Sequence, residues 1–187
     1  MQIIPEFTLK WTSGIYLGLL VIVIRYCLMY FVSRKANEQA DFFPPMIGKE
    51  KIAYWVYTTT SFLIYLYLIF ITIKTDTFLF PLGIFFYLLG LIILAKSTVD
   101  YAHGYQDGFV NIGIYLYSRN PMYVSYFLIY VGIGLICTSW LYLLIVLMRE
   151  VSTYWLILSE ERWCKEKFGE PYQKYFSNVN RYIGRSK

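Results

Sequence analysis

Two short stretches hold the residue types that do chemistry. The first is GIYLYSRNPMYVSYF, Gly113 to Phe127, where Tyr115, Arg119, Asn120, Pro121 and Tyr123 stand directly before a long apolar run. Pro121 suits the first turn of a helix, whose N–H groups lack intrahelical partners in any case. That helix start offers N–H groups and a positive dipole to an anion such as a carboxylate. Arg119 adds a guanidinium that can meet a carboxylate through two parallel bonds. The second stretch is SEERWCKEKFGEPYQKYF, Ser159 to Phe176. An acidic pair at a helix C-terminus is unfavourable, so the helix holding Glu160 and Glu161 is expected to continue to about Phe168. Gly169 then supplies the stop. Glu161 meets Lys165 at i,i+4, a favourable pair. Glu160 meets only Cys164 at that spacing, which leaves its carboxylate for chemistry.

A third group is charged where charge is costly. Arg149 and Glu150 lie within an apolar run that begins near Trp140, and Arg25 lies within another. Nine residues of helix put Arg149 roughly 14 Å from Trp140, near the middle of a bilayer. Ions at that depth are expensive and by default functional. Arg149 and Glu150 are therefore candidate substrate contacts, with mutual neutralisation of the two, or a structural bridge between Arg25 and Glu150, as the plainer reading. Arg149 and Glu160 are 11 residues apart, about three turns, and so share nearly one helix face.

The elements that position these groups follow from composition. Of 187 residues, 58% are hydrophobic, 21% aromatic and 16% charged, whereas a soluble domain is about half apolar and about a quarter charged. Five runs have the length and apolarity of bilayer spans, at about 14–32, 52–73, 77–95, 122–138 and 140–158. The expected fold is all-α: a polytopic membrane protein of about five transmembrane helices. The last two form a hairpin around Thr138-Ser139, and a helical tail follows from Glu160. Short loops leave room for one domain, residues 1–187.

The net charge of +5 is explained by its placement. Arg34, Lys35, Lys49 and Lys51 follow the first span. Lys96 and Arg119 lie between the third and fourth. Arg162, Lys165, Lys167, Lys174, Arg181, Arg185 and Lys187 follow the fifth. The opposite side holds Lys10 and Lys74. This pattern predicts the N-terminus outside and the C-terminus in the cytoplasm, and no nucleic-acid partner. The first span is too long for a cleaved signal and runs into Arg34-Lys35, so it reads as retained. Cys27, Cys137 and Cys164 form no disulfide framework, and a single histidine, His103, excludes a His-cluster metal site. Gly132 and Gly134 read as close helix packing.

Together the two stretches resemble a family. Gly113, Tyr115, Arg119, Pro121 and Tyr123, a hairpin, and then Glu160, Glu161, Phe168, Gly169, Tyr172 and Tyr175 resemble the integral-membrane methyltransferases. These are the isoprenylcysteine carboxyl methyltransferases and the phospholipid N-methyltransferases. The resemblance covers about 107–183. It implies S-adenosylmethionine as methyl donor and a lipid-like or amphiphilic acceptor entering from the bilayer. It also implies a cofactor site of Gly108, Phe109, Val110, Tyr115, Arg119, Asn120, Pro121, Met122, Tyr123, Glu160 and Glu161, with Arg119 and Glu160 as catalytic residues and no metal. The sequence departs from the isoprenylcysteine enzymes at Asn120 and Asp107, where those enzymes usually have histidine, and at Leu156, where they carry an arginine. The alternatives are an NADPH-dependent membrane reductase of the sterol-reductase type, whose tail is similar, and a non-catalytic helical membrane protein.

Overall fold

A computed structural model describes residues 12–34, 36–37, 42–105 and 109–184. Lys10, Lys35, Asp107, Gly108, Arg185 and Lys187 lie outside them. The described chain is helical, with α1 (Ile15–Val32), α2 (Lys49–Leu68), α3 (Leu79–Gly104), α4 (Pro121–Ile136), α5 (Trp140–Phe168) and α6 (Glu170–Asn178). A 3-10 turn, Gly113–Leu116, precedes α4.

Of the five expected spans, α1, α3 and α5 are long and apolar enough to cross a membrane. α4 is apolar but has only 16 residues. α2 has 20 residues but a more polar sequence, with Lys49, Glu50, Lys51 and the run Thr58 to Ser61. The bundle wears its apolar residues outward, among them Phe31, Trp55, Phe62, Phe78 and Ile92. A membrane protein places such residues against lipid.

Local chemistry sets the ends of the helices. α4 opens on Pro121. α5 opens on Ser139, whose hydroxyl accepts from the Tyr142 N–H, and it runs 29 residues to Gly169 at φ +59. The expected extension to Phe168 is therefore present. α2 stops at Leu68, five residues short of the expected end, because the Ser13 hydroxyl donates to the Leu68 and Ile69 carbonyls at 2.9 and 3.0 Å. The chain beyond then pairs with residues 12–14 through Gly14 N–H to Ile71 O and Ile73 N–H to Thr12 O. α3 runs to Gly104, nine residues past its expected end, so much of the expected 96–121 loop is helix. Lys96 donates to Asp100 at 2.6 Å within that extension.

α3 packs most extensively on α4, and α2 on α5. A methyl group at Gly90 would stand 2.6 Å from Ile129, and one at Gly132 would stand 2.6 Å from the Tyr87 nitrogen. The α3–α4 backbones thus approach as closely as small residues permit. Val21, Ile64, Leu94, Ile129 and Ile133 fill the space between the helices.

Candidate active site

One cavity of about 490 Å³ runs from the 3-10 turn into the bundle. Its volume lies within the roughly 300–1,000 Å³ usual for cofactor and substrate pockets. The motif end is built first by Gly113. Its φ of +56 favours glycine, and a Cβ there would lie 2.0 Å from Asp100 Oδ2. That same oxygen accepts the Ile114 N–H at 2.8 Å. The carboxylate therefore fastens the turn to α3 and sets Tyr115 in the interior, 7% exposed.

The tail lies over this turn. Tyr175 donates its hydroxyl to the Tyr115 carbonyl at 2.8 Å. The Arg119 N–H donates to Asn180 O, and the Gly184 N–H to Tyr117 O. Asn120 donates its side-chain amide to the Arg181 carbonyl at 3.1 Å. Phe109 packs against Phe168, Tyr172 and Tyr175 with ring centroids 5.2–5.6 Å apart. Val110 is buried beside it on the cavity wall. Burial pushes the Tyr115, Tyr172 and Tyr175 hydroxyls well above their usual range, so they stay neutral donors.

The two glutamates part company. Glu161, with its side chain 6% exposed, is clasped by two arginines. Arg119 reaches its Oε1 through Nη2 at 2.7 Å and Nε at 3.2 Å. Arg181 reaches its Oε2 through Nη2 at 2.7 Å. The expected Lys165 pair does not form; the Lys165 ammonium sits 3.5 Å over the Phe176 ring. Arg119 also donates through Nη1 to the Phe176 and Val179 carbonyls at 2.8 and 2.5 Å, and stacks on Phe176 at 3.9 Å. Its guanidinium therefore closes the C-terminal end of α6 while pairing with α5. Glu160 points elsewhere: its Oε1 accepts the Tyr123 hydroxyl at 2.6 Å, and both residues line the cavity with Asn120, Pro121 and Met122.

The 42–50 segment closes this end from the other side. Phe42 lies 5.3 Å from Trp163. Arg162 donates to Glu50 and to the Pro45 carbonyl. Partial burial pushes the Glu50 carboxyl up, but the bonds from Arg162 and the Ile47 N–H outweigh it and hold the group below its usual value.

The far end of the cavity lies between α2, α4 and α5. Arg149 is there, 2% exposed, with Tyr57, Ser61, Tyr65, Tyr126 and Tyr130 around it. Glu150 pairs with Arg149 at 2.6 Å. Sequence reasoning missed these hydroxyls and the tail's Arg181. The signal was present as polar aromatic stripes at helical spacing, Tyr57-Ser61-Tyr65 and Tyr123-Tyr126-Tyr130, within apolar runs.

The structure thus brings every described residue of the expected cofactor site to one end of one cavity in a helical membrane protein. A model of the phospholipid methyltransferase family matches residues 69–171, from the end of α2 to the start of α6. The chain belongs to the phospholipid methyltransferase family. No curated protein and no solved structure matches.

Proposed function

We propose that this single domain, residues 1–187, is an integral-membrane methyltransferase that uses S-adenosylmethionine and methylates an amphiphile reaching the cavity from the bilayer. The observation that carries this reading is the cavity itself. It joins the family motif, with Glu160 turned inward, to a polar chamber among the membrane helices. The distribution of Lys and Arg supports a cytoplasmic motif end.

The residues at that end suit a cationic nucleoside. Glu160 presents a carboxylate in a site walled by aromatic rings, where low dielectric strengthens its attraction to a cation. Tyrosine faces favour a sulfonium by the same electrostatics. Bound there, S-adenosylmethionine supplies an electrophilic methyl group. Glu160, Tyr123, Asn120, Met122, Tyr115, Phe109 and Val110 hold the donor, with Pro121 shaping the helix start around it. Arg119 and Glu161 serve by position: through the tail they set Tyr172 and Tyr175 as a roof that keeps water out. Holding the acceptor in line with the methyl group supplies much of the rate, since positioning alone lowers such barriers. An amine acceptor sheds a proton as it is methylated, and the Glu160 carboxylate is placed in the cavity to take it.

The test is transfer of labelled methyl groups to a membrane lipid extract by the purified protein. Label is expected in a lipid fraction with the wild-type chain and is expected to vanish with Glu160→Ala. Equal labelling by both proteins would remove Glu160 from the site.

A further inference from the structure

The last described turn of the tail carries apolar groups that the reading above does not use. Residues 180–184 close on themselves. The Asn180 N–H donates to the Gly184 carbonyl at 3.0 Å, and the Asn180 side-chain amide to the Ile183 carbonyl at 3.3 Å. Gly184, at φ +106, turns its N–H to the Tyr117 carbonyl at 2.8 Å. The Asn180 and Arg181 carbonyls accept from the Arg119 N–H and the Asn120 side chain. These carbonyls are thus satisfied within the chain, as backbone in contact with lipid requires. The side chains are not withdrawn in the same way. Ile183 is 76% exposed and Tyr117 is 59% exposed, with Tyr182 exposed beside them.

A single exposed isoleucine is ordinary on a protein surface. The level of this one is not. α4 and α5 start together at the hairpin around Thr138-Ser139. The 16 residues of α4 cover about 24 Å, short of the roughly 30 Å hydrocarbon core. Pro121 therefore lies about 6 Å inside the boundary on the motif side, and Tyr117 comes just before it. The turn is drawn to a similar depth, because Arg181 lies 5.2 Å over the ring of Tyr154, about 21 Å along α5 from Trp140. Val151 and Tyr154 are themselves exposed on α5, so the patch continues the lipid-facing surface of the bundle. Tyrosines suit this layer. Arg185 and Lys187 follow in the sequence and match anionic headgroups.

We propose that the 180–184 turn, with Tyr117, is an interfacial anchor that seats the tail in the lipid leaflet on the motif side. The anchor carries the site with it. Arg181, inside the turn, reaches Glu161 through Nε at 3.1 Å and Nη2 at 2.7 Å. Its carbonyl holds the Asn120 side chain, and Asn120 lines the cavity. Lipid that holds the turn therefore holds the roof of the site, and donor affinity depends on the bilayer. That dependence rests on the proposed function; the lipid contact does not.

The test is spin labelling of the full chain in nanodiscs of phosphatidylcholine and phosphatidylglycerol. Labels go on Ile183→Cys and, for comparison, on Lys174→Cys, an exposed position of α6. Both are made in a Cys27→Ala background, which removes the exposed native thiol and supplies the blank. The Ile183 label is expected to collide with oxygen more often than with a water-soluble nickel chelate, and the Lys174 label the reverse. Equal nickel access at the two positions would overturn the anchor. An Ile183 label that is immobile and shielded from both would also overturn it, by showing that another protein surface covers the turn. S-adenosylhomocysteine affinity in the same nanodiscs is expected to fall about fivefold with Ile183→Asp, the scale of a charge placed near a bilayer interface. It is expected to stay at the wild-type value with Ile183→Leu. Unchanged affinity in Ile183→Asp would remove the coupling. An Ile183 label in lipid, on a chain that binds no S-adenosylhomocysteine, would keep the anchor and remove the donor reading.

Discussion

The cavity has two ends, each built around an arginine–glutamate pair, and the pairs are used differently. At the motif end Arg119 and Glu161 turn their charges on each other, on Arg181 and on the carbonyls closing α6. Their polarity is spent on holding the tail, while Glu160, the other member of the acidic pair, accepts the Tyr123 hydroxyl instead. At the far end Arg149 and Glu150 are adjacent on one helix, and the pair leaves the cation on the cavity wall. A charge pair joining distant segments makes a roof. A charge pair within one helix makes a floor with a sign. Burial is nearly the same for the arginines of both pairs, with side chains 7% and 2% exposed, so the topology of the pairing separates their roles.

That contrast is broken most forcefully at Glu161. Glu161→Ala leaves two arginines without their carboxylate, and removing one partner of a buried pair costs about 3–5 kcal/mol. The expected result is a large drop in thermal stability in detergent, with the tail opened to protease. Loss of donor affinity without loss of stability would make Glu161 a direct contact instead. Gly113→Ala tests the other fastening of the same end. The new methyl group would collide with Asp100 at a φ of +56, and left-handed backbone alone costs roughly 1–2 kcal/mol for such a residue. Lower thermal stability and weaker S-adenosylhomocysteine binding are expected together.

The smallest effect is expected at the Arg162–Glu50 clamp, where the partners are 31% and 13% exposed. Exposed pairs contribute no more than about 1 kcal/mol. Because Glu50 is held below its usual value in the folded chain, this stabilisation is present above the unfolded pKa and is lost as pH falls through the folded one. A melting curve taken from pH 7 down through the acid range is therefore expected to converge with that of Glu50→Gln. Parallel curves would show that the clamp contributes nothing.

The motif end was largely legible in the sequence because its residues are local: a glycine, a proline at a helix start, an acidic pair ahead of a helix stop. The continuation of α5 to Phe168 followed from charge placement and Gly169. Partners were less legible than positions. Lys165 was the cation at i,i+4 from Glu161 on its helix, but the residues that reach it come from 42 and 20 positions away. The extra turns of α3 depend on Asp100 bonding a turn 14 residues further on, a tertiary contact that no local pattern encodes. The far end was the least legible. Its tyrosine stripes were visible on α2 and α4, but periodicity gives the face of a helix and not the helix it faces.

The central claim is that Glu160 and its neighbours hold a sulfonium methyl donor. Calorimetric titration of the purified protein with S-adenosylmethionine, S-adenosylhomocysteine and NADPH tests it most directly. Binding of the first two is expected, weakened about 10- to 150-fold in Glu160→Ala, as for a lost hydrogen bond to a charged group. Binding of NADPH alone would contradict the account and move the protein to the reductases, and wild-type affinity in Glu160→Ala would contradict the site.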